Sequence, residues 1–144
     1  MTSPATTRAA VIALQGALAA EHAAVYGYGV AGAMLAGAAR AEARADWTAH
    51  QVARDTLETM LTGLGATPVA ASPAYDLPFA VTGAASAKAL AAALEEGVTR
   101  AYLGVVAVDS PALRMFGATA MQVSANRAVT WRGSTVAFPG MPGS

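Results

Sequence analysis

The sequence has no cysteine, a single lysine (Lys88), and aromatic residues at only 6% of its 144 positions. Without cysteine there are no disulfides, no thiolate metal ligands and no thiol nucleophile. Charge is scarce as well, and nine basic against nine acidic side chains leave no net charge. So balanced a chain carries no electrostatic footprint for nucleic acid or an anionic lipid surface, and neither is expected as a partner. The two-residue alternation of half-buried strands is missing, because apolar residues recur at threes and fours. The uncharged stretch 23–39 is mostly Ala and Gly and falls short of the ~20 residues a bilayer requires. No integral membrane segment is therefore expected. Arg8 followed by "AAVIAL" imitates a signal peptide, but Gln15 and Gly16 interrupt the run and Glu21 and His22 follow at once. A cytoplasmic location is expected, with export through the N-terminal segment as the alternative.

What the chain does have is helical periodicity. Ser3 before Pro4 reads as an N-cap with proline at the first helical position. Val11, Leu14, Leu18, Glu21, Val25, Tyr28, Gly32 and Leu35 then form an unbroken three-four seam, and the pattern predicts a helix over about 4–35. Trp47, His50, Arg54, Leu57, Leu61 and Leu64 predict a second over 38–63. A third, capped by Thr82, runs over 83–107 through Leu90, Leu94, Glu95, Val98, Tyr102 and Val105. "DSP" at 109–111 stops it and starts a fourth over 111–132, leaving an irregular tail at 133–144. Residues 65–82 hold three prolines and read as one long connection. A helix of ~24 residues is about 36 Å long, and 18 extended residues reach up to roughly 60 Å, so this link can cross the whole bundle. The expectation is one all-α domain over 1–144, a ferritin-like up-down-down-up four-helix bundle with the crossover between helices 2 and 3.

Ionisable residues interrupt the apolar seams at one height. Counted from the first turn, Glu21 and His50 differ in depth by only ~3 Å, and Glu95 sits at the matching depth of the second helical pair. A weak repeat supports this: Glu95 lies 74 residues after Glu21, and Tyr102 lies 74 after Tyr28. Ferritin-like carboxylate proteins build a two-metal site at this place, from a lone Glu on each of two helices and Glu-x-x-His on the others. Glu21, Glu95 and His50 fit three of those positions, but Trp47, Met121 and Ser124 stand where the remaining ligands belong. Two adjacent divalent ions are not expected on such a set. The polar core cluster is predicted to comprise Glu21, His50, Arg54, Glu95, Tyr28 and Tyr102, with Arg54 as counter-ion and the tyrosine hydroxyls bonded to the carboxylates. The alternative is a mononuclear site for a single Fe, Mn or Zn ion on Glu21, His50, Glu95 and Asp46, the last four residues before His50. His22 is expected exposed or at an edge. Gly27, Gly29 and Gly32 are read as a close-packing face, within the bundle or in a homodimer through helix 1. Tyr75, Leu77 and Phe79 are read as a strap over the bundle, or the lid of a small pocket.

"EHAAVYGYG" (21–29), "HQVARD" (50–55), "AYDLPF" (74–79), "LAAALEEGVTRAY" (90–102) and "AFPG" (137–140) together resemble an actinobacterial ferritin-like family of unassigned function. The resemblance implies the ferritin-like bundle and marks Glu21, His50 and Glu95 as family positions. It implies no reaction. The reading that results is a non-enzymatic, self-associating or ligand-binding bundle without a cofactor; the alternative is a metalloprotein or oxidoreductase with a reduced metal site.

Overall fold

A computed structural model describes residues 2–133; the tail expected to be irregular, with its "AFPG", lies outside the described residues apart from Gly133. Four helices account for most of what is described: α1 (Pro4–Ala33), α2 (Gly37–Gly63), α3 (Ala84–Val106) and α4 (Pro111–Arg132). No strand occurs among the described residues. The local signals act as read. Ser3 Oγ accepts from the Thr6 amide and Ser110 Oγ from the Leu113 amide, each with proline next in line. The cap of α3 differs from expectation: Gly83, not Thr82, holds the N-cap position, and Ser86 Oγ accepts from both the Thr82 and Gly83 amides.

The chain directions follow from which residues meet. On α1 and α2, Glu21 meets His50 and Tyr28 meets Asp46. On α1 and α3, Glu21 meets Tyr102 and Tyr28 meets Glu95. Numbers rising on one helix as they fall on the other make α1 antiparallel to both neighbours, so α2 and α3 run parallel. Gly117 meets Val105 and Val106 while Arg132 pairs with Glu96, which makes α4 antiparallel to α3. The result is the up-down-down-up bundle, with the connection of residues 64–83 traversing its length.

That connection is clasped to α1. The Gln15 side chain donates to Thr67 O at 2.7 Å and accepts from Val69 N at 2.8 Å. His22 Nε2 donates to Val69 O at 2.9 Å. His22 is thus buried beneath the crossover rather than exposed, because the crossover covers the face to which its position turns it. Farther along, Tyr75 stands against Tyr26, and Leu77 and Val81 pack onto the core, while Phe79 stays exposed and is not part of the strap.

Two apolar clusters fill the bundle. One is built around Leu14, Leu18, Leu57, Leu61, Val98 and Tyr102, the other around Tyr28, Leu35, Leu90, Ala91 and Trp131. Each fully buried leucine contributes about 1.5–3 kcal/mol. Glycine plays two roles. A Cβ on Gly27 would collide with Leu94, and one on Gly117 would press on the backbone of Val106, so both let helices approach. Gly29 and Gly32 have nothing within 4 Å of a Cβ position, so they do not serve packing within the bundle.

Gly29→Ala therefore gains about 0.5–1 kcal/mol of stability from helix propensity. Gly117→Ala is expected to lose about 1–2 kcal/mol to overpacking against an immovable backbone nitrogen. Urea unfolding of the two variants should move in opposite directions; equal gains would show that α4 is free to retreat from α3.

Candidate functional site

The three ionisable seam residues meet inside the bundle. His50 of α2 donates from Nδ1 to Glu21 Oε2 of α1 at 2.5 Å and from Nε2 to Glu95 Oε1 of α3 at 2.8 Å. Their exposures are 2% for Glu21, 1% for His50 and 0% for Glu95. An imidazole facing an acceptor at each nitrogen carries both hydrogens and is the cation. Burial by itself lowers its pKa, but the bonds to Glu21 and Glu95 and their charges outweigh that and raise it to about 9.

Each glutamate is closed off by a tyrosine from the opposite half of the chain. Tyr102 of α3 donates to Glu21 Oε1 at 2.9 Å, and Tyr28 of α1 donates to Glu95 Oε1 at 2.7 Å. The sequence offset of 74 residues is thereby a spatial exchange, with His50 between the two Tyr–Glu pairs. Burial, then the neighbouring carboxylates, push both phenols well above their ordinary range, so they act as donors throughout. The Tyr28 hydroxyl also lies 3.3 Å from Asp46 Oδ2. Asp46 is buried, takes a 2.9 Å bond from Trp131 Nε1, and pairs with Arg127 Nε at 3.3 Å. The network therefore runs Tyr102–Glu21–His50–Glu95–Tyr28–Asp46 and ends on α4. One acceptor remains open, Glu95 Oε2, which is buried without a partner among the described residues.

Five of the six residues predicted for the cluster are brought together; Arg54 is not. It is half-buried and turns outward to pair with its neighbour Asp55 at 2.8 Å, although it stands between His50 and Leu57 in the inward seam of α2, whose buried residues are Ala43, Asp46, His50, Leu57 and Leu61. The same register puts Asp46 inside in place of Trp47. Arg127 supplies the counter-charge assigned to Arg54. The available signal for it was positional: Arg127 follows the seam residue Ser124 by one helical turn and so flanks the same interface. Between α2 and α4 a groove of about 270 Å³, walled by Phe116 and Val123 among others, reaches Glu21, His50, Tyr102 and Ser124.

Glu21 and Glu95 approach opposite nitrogens of one ring, so ring and carboxylates do not aim at a shared point. Among the described residues, no three His, Asp or Glu side chains stand in a metal-ligating arrangement.

The sequence model of a family described as "Domain of unknown function (DUF4439)" matches residues 13–143. Comparison with curated proteins gives no match. Among solved structures, the crystal structure of a conserved hypothetical protein, rv2844, from Mycobacterium tuberculosis is similar. It is 32% identical, with a TM-score of 0.83 over 92% of this chain and 98% of that one.

Removing His50 leaves two buried carboxylates without their shared cation. His50→Gln is expected to cost about 3–5 kcal/mol, and Tyr102→Phe about 1.5–3 kcal/mol, the worth of a bond to a charged group. Because the folded pKa of His50 lies above its ordinary 6.5, at about 9, its contribution is complete below pH 6.5. It is lost as pH rises toward 9, since the native state there holds the extra proton. Urea unfolding across pH 6–10 should show this decline in the wild type and not in His50→Gln.

Proposed function

Because this chain belongs to the family described as a domain of unknown function, DUF4439, which assigns no reaction, we propose a reading from the site itself. The protein is a non-enzymatic, ferritin-like bundle in which a metal-free polar network stands where a two-metal centre would sit. The network fixes helix register, and the protein acts by binding rather than by bond-making. The observation that carries this reading is the double engagement of His50 by Glu21 and Glu95. A histidine ligand presents one nitrogen to a metal and steadies the other on a neighbouring group. Here both nitrogens are spent on carboxylates that would themselves have to be ligands. The residues at the other template positions, Trp47, Met121 and Ser124, have neither the charge nor the donor atoms to neutralise two divalent ions.

The counter-charges support the same reading. Glu21, Glu95 and Asp46 face His50 and Arg127, so most of the buried negative charge is already matched by protein cations. A divalent ion would have to displace the His50 proton and then compete with Arg127 for Asp46. Resemblance to a ferritin-like family of actinobacteria fits this picture, and a buried ionic layer whose role is register is a known use of such groups.

The test is metal per chain, by native mass spectrometry with elemental analysis, after expression with iron, manganese and zinc supplied. Wild type, Glu21→Ala and His50→Ala are all expected to be metal-free, the variants only less stable. Near-stoichiometric metal in the wild type, lost in both variants, would overturn this reading in favour of a mononuclear metalloprotein.

A further inference from the structure

A second feature lies on the flank of the bundle, between α1 and α2 near their connecting turn. A groove of about 380 Å³ is lined there by Gly29 and Gly32 of α1 and by Arg40, Arg44 and Trp47 of α2, with the buried Tyr28 beneath. Arg40 and Arg44 are four residues apart and so share one side of their helix, an arrangement that is unfavourable for like charges in isolation. Neither has a carboxylate within ion-pairing distance among the described residues, and no acidic side chain lines the groove. Trp47, one of only two tryptophans in the chain, is half-buried along the groove wall. The glycines opposite are those that pack against nothing. Glycine is a poor choice inside a helix, and here its effect is to keep this groove open.

We infer that this groove binds a small planar aromatic anion, with Arg40 and Arg44 on its carboxylate or phosphate and the ring lying along Trp47 over the Gly29–Gly32 edge. Guanidinium groups match both anions in a bidentate fork, and an indole offers an apolar face to a ring. The volume falls in the lower range of small-molecule sites, suited to one or two fused rings. This inference is independent of whether the buried network ever holds a metal.

Titration calorimetry with 2-naphthoate, AMP and the uncharged 2-naphthalenemethanol, at low ionic strength, tests it on the full chain. Saturable binding of at least one anion is expected, with weaker binding of the alcohol. Arg40→Ala and Arg44→Ala should each weaken binding about tenfold, the equivalent of one charge-assisted hydrogen bond. Gly32→Leu should abolish it while raising the thermal midpoint, which separates a filled groove from a damaged fold. Tighter binding of naphthoate or of AMP assigns the headgroup as carboxylate or phosphate. No saturable binding of either anion, binding unchanged in the three variants, or an alcohol bound as tightly as the naphthoate would each overturn the proposal.

Discussion

One protonated imidazole between two buried carboxylates holds three helices of this protein to each other. Among the described residues His50 alone bonds to both Glu21 and Glu95, and the bonds of Tyr102 to Glu21 and of Tyr28 to Glu95 link α1 to α3 on either side of it. Taking ionised groups out of water is expensive, and the expense is recovered only when their remaining bonds are also made. The tyrosines make them. Tyr102 belongs to one apolar cluster and Tyr28 to the other, so the polar layer is anchored in both halves of the hydrophobic core. Sliding any helix by one turn would break a charged bond inside a low-dielectric interior. Apolar packing alone, in a core so rich in alanine and leucine, would resist such a slip far less.

Much of this was legible in the sequence, for physical reasons that can be named. Helix ends were legible because Ser3-Pro4 and Ser110-Pro111 satisfy orphan amides locally. The meeting of Glu21, His50 and Glu95 was legible because depth along a helix is simple arithmetic. Rotation about a helix axis is harder to read. Trp47 and Asp46 are adjacent, and apolar periodicity favours the larger one inward; the structure turns Asp46 in, where Trp131 and Arg127 of α4 receive it. Arg54 stands at seam spacing, four residues after His50 and three before Leu57, yet its long side chain turns outward and pairs with Asp55. The burial of His22 depends on where a proline-rich connection lies, which no periodicity encodes.

Glycine illustrates how one residue type can carry opposite meanings. Gly27 and Gly117 sit in close contacts between helices, whereas Gly29 and Gly32 meet nothing of the bundle. All were equivalent letters in the sequence. The relative from Mycobacterium tuberculosis keeps a similar backbone at 32% identity.

The crossed pairing of tyrosines and glutamates also bears on how the chain reaches this state. Each bond joins residues 67 or 81 positions apart, one partner before the long crossover and one after it. Neither helical hairpin can satisfy its own glutamate with its own tyrosine. A chain that has formed only its first hairpin therefore holds Glu21 with half its partners, and the second hairpin alone holds Glu95 with neither His50 nor Tyr28. Contacts of such sequence separation form only after loop closure has been met by other interactions. The polar layer thus closes last and closes for both halves at once, which makes the assembled bundle a single cooperative unit instead of two hairpins that happen to touch.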